Sequence, residues 1–262
     1  MDTTYDRFQG IDRLYGAGSV ARLSTRHVAV VGIGGVGSWA VEALARSGVG
    51  RLSLIDADEV CVGNTSRQLH ALDGEYGRAK VEVMARRVHA INPAAEVDAM
   101  AEFLTRSNLP TLLSRDYDLV LDCCDAFRVK VETVAWCRRR KLPLIVCGSA
   151  GGRTDPTRII VRDLARTEHD ALLALIRRKL RDEFGFPRGP KRYFGVSAVY
   201  SLENVRYPQT DGSVCGKRPA PGADAALKLD CGSGLGAATH VTAAFACAAV
   251  GRALQRLLAL PA

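Results

Sequence analysis

The sequence predicts an α/β protein: a doubly wound, Rossmann-like, mostly parallel sheet with a C-terminal α/β extension packed on it. Three observations carry that expectation. Short β-branched runs alternate with helical periods from about His27 to Ser149, which is how a parallel sheet with crossover helices reads in sequence. The first run enters the glycine cluster Gly32-Ile33-Gly34-Gly35-Val36-Gly37, and an Ala-rich amphipathic segment follows: strand, tight turn and a helix that opens on a phosphate. The 262 residues, 47% hydrophobic, suffice for one large or two small domains with a buried core.

Taken in order, the chain opens with "MDTTYDRFQGIDRLYG", a helical segment whose acidic residues and lack of an apolar centre exclude a signal or transit peptide. A cytoplasmic location is expected. The strand candidates that follow are "HVAVVG", "RLSLID", "AEVDAMA", "YDLVLDC" and "LPLIVCG". Between them, "GRAKVEVMARRVHAIN" puts Val81, Met84, Val88 and Ile91 on one helical face, and "FRVKVETVAWCRRRK" does the same with Val131, Val134 and Ala135. Trp39 and Trp136 fall on these inner helices and read as core.

After Gly152 the rhythm changes. "RIIVRD" reads as a strand, "EHDALLALIRRKLRDEFG" as a basic amphipathic helix and "FGVSAVYSLENV" as a second strand region, before a Gly- and Pro-rich loop. Residues 1–152 therefore read as the N-terminal helical segment plus a nucleotide-binding Rossmann-like domain, and 153–262 as a C-terminal subdomain on the substrate side. The absence of a linker makes them one continuous globular unit. The apolar end, from Leu235 to Val250, is interrupted only by His240 and threonines, and Arg252 and Arg256 follow at helical spacing. It falls short of the roughly 20 residues a membrane span needs, so it reads as a buried terminal helix, with no membrane partner expected.

The glycine turn lets phosphate oxygens approach backbone N–H groups at a helix N-terminus, and Asp56, ending the next strand, stands where a ribose hydroxyl is held. NAD and ATP fit this equally. What separates them is the polar loop "IDADEVCVGNTSRQLHALDGEYGRAK", carrying Asn64, Arg67 and Gln68, then Lys80 at a helix start. Hydride transfer needs no such cations, whereas a guanidinium and an ammonium aimed at a triphosphate neutralise charge on the α-phosphate and on departing pyrophosphate. A solvated loop with ordinary surface cations is the bland alternative. In "LVLDCCDAF", Asp122 ends a strand and Asp125 lies in the next turn, at the crevice where ligands bind open α/β sheets. Asp125 is the candidate Mg²⁺ ligand, since Mg²⁺ on a triphosphate takes one or two carboxylates plus water; an N-cap role is its alternative.

Lys and Arg number 36 against 28 Asp and Glu, a net charge of +8 that suits a polyanionic partner such as RNA. Basic clusters lie at Arg138 to Lys141, Arg177 to Arg181, Arg188 to Tyr193, and Lys217 with Arg218, interleaved with Tyr193, Phe194 and Tyr207. Of the 8 cysteines none forms a C-x-x-C pair, so no structural zinc is expected. Cys231 and Cys215, in glycine-flanked settings, are candidate reactive thiols. Cys61, Cys123, Cys124, Cys137, Cys147 and Cys247 read as packing, and the five histidines show no ligand spacing and no general-base candidate.

The glycine turn, "IDADEVCVGNTSRQ", Gly77-Arg78-Ala79-Lys80 and "DCCD" together resemble the ubiquitin-activating-enzyme-like adenylyltransferases. Within them the similarity is to the tRNA threonylcarbamoyladenosine dehydratases, and it runs the whole chain through "DRFQGIDRLYG", "GSAGGRTDPTRIIVRDLA", "YPQTDGSVCGK" and "LDCGSGLGAATHVTA". The resemblance implies ATP-dependent dehydration of the modified adenosine beside the tRNA anticodon, through adenylation of the threonine carboxylate, cyclisation, and release of pyrophosphate and AMP. It implies that Gly35 approaches the nucleotide, Asp56 holds the ribose, Asn64, Arg67 and Lys80 contact phosphates, and Asp125 binds Mg²⁺. It further implies a homodimer in which Arg7 reaches into the partner's site, and a sulfur-relay partner of the cysteine-desulfurase kind. Gly63, where relatives often carry Ser or Thr, and Ala126, where sulfur-carrier enzymes carry Asn, depart from the pattern. An adenylyltransferase for a small sulfur-carrier protein is the first alternative, opposed by the missing zinc pairs. A non-catalytic nucleotide-binding scaffold is the second, opposed by the presence of Arg67, Lys80 and Asp125.

Overall fold

The structure is a computed structural model that describes residues 3–114, 116–189, 191–209, 211–217 and 234–261. Helix α1 (Thr3–Tyr15) and the short α2 (Ser19–Ser24) lead into β1 (His27–Val31), and the glycine turn joins it to α3 (Gly37–Arg46). Strand β2 (Arg51–Ile55), a long loop, α4 (Lys80–Ile91), β3 (Glu96–Met100), α5 (Leu109–Leu112) and β4 (Leu119–Asp122) follow. Next come α6 (Phe127–Arg139), β5 (Leu144–Cys147), β6 (Ile159–Asp163), α7 (Ala171–Glu183) and β7 (Ser197–Ser201). A small antiparallel pair, β8 (Tyr207–Pro208) and β9 (Val214–Cys215), precedes α8 (Thr239–Ala259).

Seven strands form one sheet in the order β3-β2-β1-β4-β5-β7-β6, parallel throughout except for β6, which pairs antiparallel with β7 at the edge. The sheet thus continues past residue 152 without interruption. Each buried strand alternates between two cores, as a pleat covered on both faces must. Val28 and Val30 join Leu52, Leu54, Leu119 and Leu121 beneath α3, α4 and α8. Ala29 and Val31 join Val120, Val146 and Tyr200 beneath α6 and α7. Helix α7 starts where Asp170 caps it, its carboxylate accepting from the backbone N–H of Leu173 at 2.8 Å.

Helix α8 is long and apolar enough by composition to cross a membrane, yet Val241, Phe245, Ala246, Ala249, Ala253 and Leu257 are buried against α3 and the sheet. Its far end meets the start of the chain: Arg22 donates to the carbonyl of Leu258 at 2.9 Å, and Arg26 to those of Leu260 and Pro261. The tryptophans pack at the edges of the two cores. Both are only partly buried; Trp39 turns its indole toward the nucleotide loop, and Trp136 carries the Arg140 guanidinium 4.2 Å from its ring.

Candidate nucleotide site

Strand order reverses between β1 and β4, and the carboxyl ends of these two strands frame a crevice. The glycine turn fills one side of it. Gly32 has φ +83°, and a Cβ there would sit 2.7 Å from the backbone nitrogen of Cys124. A Cβ on Gly37 would fall 1.8 Å from the Gly32 carbonyl oxygen, so the turn closes only without side chains. Gly35 faces outward, toward the Arg67 side chain and Thr242.

Asp56 braces this turn. Its Oδ2 accepts from the backbone N–H of Ile33 at 2.6 Å and its Oδ1 from that of Asp58 at 2.8 Å. Burial raises its pKa, partly offset by the nearby Lys80 charge and these N–H groups. Carboxylate oxygens each accept more than one bond, so a ribose hydroxyl can share them. Lys80, at the start of α4, is nearly sealed from solvent, and its Nζ meets Asp58 Oδ2 at 2.8 Å.

The loop between them is held from two sides. A 3-10 turn over Val62–Asn64 buries Asn64, whose Oδ1 accepts from the backbone N–H of Cys61 at 3.1 Å. Arg67 donates from Nη1 to the Gly63 carbonyl at 2.9 Å, while its own carbonyl accepts from Trp39 Nε1 and Thr242 Oγ1, both at 3.2 Å. Thr239 donates to the Ser66 carbonyl from its backbone N–H at 3.0 Å and its Oγ1 at 2.8 Å. The first turn of α8 therefore clamps the segment that carries the predicted cation. Gln68 lies under the turn, its amide nitrogen 3.9 Å from where a Gly34 Cβ would be, with a buried Oε1 that has no hydrogen-bond partner among the described residues. Such an orphaned acceptor, a glycine cradle and two cations fit a nucleotide's phosphates and hydroxyls.

On the other wall, Asp122 is fully buried and accepts from Lys130 Nζ at 2.7 Å. Burial alone would lower the Lys130 pKa; the Asp122 carboxylate more than reverses this and holds the ammonium charged. Sequence reasoning missed this pair, because a lysine on an amphipathic helix reads as surface. Asp125, three residues beyond Asp122, is exposed in the turn that follows β4, at the mouth of the crevice. Cys124 is held well above its usual pKa by burial and by Asp122, and Cys123 by its contact with Cys147 and by burial, so neither thiol is a nucleophile. His70, also missed, is buried behind the loop with neither ring nitrogen bonded among the described residues; burial and then the Lys80 charge push its pKa down to about 4.

Two predicted residues lie apart. Arg7 is exposed on α1, with Nη1 3.4 Å from the Ile91 carbonyl, at the opposite end of α4 from Lys80. Cys215 is exposed on β9, its sulfur accepting from the Lys217 N–H at 3.4 Å; Cys231 and Arg218 lie outside the described residues. Among the described residues no three His, Cys, Asp or Glu side chains gather as a metal cage.

The tRNA threonylcarbamoyladenosine dehydratase of Escherichia coli strain K12 is 47% identical over 98% of this chain and 96% of its own length. A crystal structure of E. coli tRNA N6-threonylcarbamoyladenosine dehydratase in complex with ATP is similar with a TM-score of 0.86 and 43% identity, covering 99% of this chain and 96% of that one. The same enzyme in complex with AMP gives 0.87 and 44%, covering 99% and 97%. The sequence pattern of the ThiF family matches residues 5–260, from α1 through the glycine turn to the end of the helix that clamps its loop, and the chain belongs to that family.

Proposed function

We propose that this protein is an ATP-dependent adenylating enzyme that dehydrates threonylcarbamoyladenosine in tRNA. One observation carries the reading: the loop after β2 brings Arg67 and Lys80, two cations with no use in hydride transfer, to the glycine turn at the carboxyl edge of the sheet. Near-full-length similarity to enzymes of that name, one seen with ATP, supports it.

In this mechanism a carboxylate oxygen of the threonyl group attacks the α-phosphorus of ATP, and the bond to the β-phosphate oxygen breaks to release pyrophosphate. A heteroatom of the carbamoyl group then attacks the activated acyl carbon, and AMP leaves with the former carboxylate oxygen. The net change is loss of one water from the nucleoside. Arg67 and Lys80 oppose the charge that gathers on the phosphates, with Asn64 and Gln68 as neutral donors. Gly32, Gly34, Gly35 and Gly37 present backbone N–H groups, Asp56 takes the ribose, and Asp125 would hold Mg²⁺, which would supply charge neutralisation on the triphosphate. The enzyme works as a cytoplasmic homodimer with Arg7 supplied in trans, and Cys231 is the thiol available to a sulfur-relay partner.

The test incubates protein, ATP, Mg²⁺ and tRNA bearing the modification, then weighs the digested nucleosides. ATP-dependent loss of one water is expected, with Arg67→Ala and Lys80→Ala slower by about 10²-fold or more. An unchanged nucleoside overturns the reading.

A further inference from the structure

At the amino edge of the sheet, away from the glycine turn, β6, β7 and the last turns of α8 enclose a cleft of about 750 Å³. Its charge is out of balance. Arg252 and Arg256, one turn apart on α8, both donate to the same hydroxyl, Ser197 Oγ, at 3.3 and 3.0 Å. The other bond of Arg252 goes to the neutral Gln255 at 3.2 Å. From α6, the Arg138 guanidinium reaches over Gly195, its Cζ 3.1 Å from where a Cβ would stand. Burial, then repulsion from Arg252, lowers the Arg256 pKa; Arg138 adds to the repulsion and Asp163 opposes it.

Asp163 is the single carboxylate on the described lining of the cleft, and it is already engaged by the backbone N–H groups of Ala165, Phe194, Gly195 and Val196. Arg162, also on the lining, is paired with Glu168 at 2.9 Å, whereas Arg252 and Arg256 are bonded only to neutral partners among the described residues. Such a half-enclosed pair favours an oxyanion, and the planar fork of arginine matches phosphate best. Beside the cleft, two residues before Gly195, Tyr193 is 63% exposed, with Arg166 4.9 Å from its ring. Aromatic and guanidinium faces next to phosphate ligands are the pattern of RNA contact rather than of free phosphate capture.

We propose that this cleft is a second anion site that grips a backbone phosphodiester of the RNA substrate. It lies about 20 Å along α8 from Thr242 at the nucleotide site, at 1.5 Å per residue. The inference rests on the proposed tRNA substrate.

The experiment compares wild type, R252Q/R256Q and R252K/R256K by fluorescence anisotropy of labelled tRNA across a salt series, with melting temperature, ATP affinity and sedimentation as controls. R252Q/R256Q is expected to weaken RNA binding about 10-fold or more and to reduce the slope of log K against log salt by about 1 to 2, with R252K/R256K keeping the slope. If the double variant does not fold, Arg252→Gln alone, at an exposed position, carries the same comparison with a smaller shift. An unchanged affinity and slope in a folded variant that still converts modified tRNA overturns the site and leaves the enzyme reading standing. A wild type that neither binds nor converts modified tRNA overturns both. Pyrophosphate bound by wild type but not by the variant, with RNA affinity unaltered, overturns RNA as the source of the phosphate. Loss of RNA affinity that follows dissociation of a dimer overturns the site in favour of a subunit interface.

Discussion

His70 shows how the nucleotide loop makes the fold sensitive to acid. Its pKa is about 4 in the folded chain against 6.5 for the free side chain, so between these values the unfolded chain binds more protons than the folded one. Stability therefore rises with pH through that window, and acidification removes up to ~3 kcal/mol. The melting temperature is expected to fall between about pH 7 and about pH 5, and His70→Gln to flatten that fall relative to wild type; parallel curves for the two proteins would contradict it. Nothing in the sequence marks His70, since burial is a property of the folded loop. The glycine turn and Asp56 were legible because a turn of that geometry admits only certain residues. The Asp122–Lys130 pair was not: its two members stand eight positions apart on different elements, and only their mutual neutralisation makes both buried charges tolerable.

Among elements, α8 does more than cover apolar surface. Its first turn fixes the Ser66 and Arg67 carbonyls through Thr239 and Thr242, so the cation's position depends on a helix more than 170 residues downstream. Removing both hydroxyls, with Thr239→Ala and Thr242→Val, costs about 1 kcal/mol for each lost hydrogen bond. The KM for ATP is expected to rise about 3- to 10-fold, with faster amide exchange over residues 64 to 68; an unaltered KM and exchange would separate the helix from the site. Each predicted strand from "HVAVVG" to "FGVSAVYSLENV" appears, because alternation of apolar runs records the pleat. The reversed direction of β6 does not show in that alternation, which is the same read either way along a strand. The pair β8–β9 is too short to leave a period.

At the scale of the whole molecule, Arg7 and Lys80 sit at opposite ends of α4, so a site using both draws on two chains. Mixing inactive Arg7→Ala and Lys80→Ala proteins and allowing subunit exchange is expected to regain activity that neither has alone. Persistent inactivity of mixed dimers would remove Arg7 from the site. The +8 charge was legible at once, but its concentration around Ser197 was not, because Arg138, Arg252 and Arg256 come from two helices that only the sheet brings together. The bonds from Arg22 and Arg26 to the carbonyls following Leu257 bear on biosynthesis. On the sheet face that α3 and α4 share with α8, the part over β4 to β7 is covered by α8, so these strands wait as exposed apolar surface until α8 has left the ribosome.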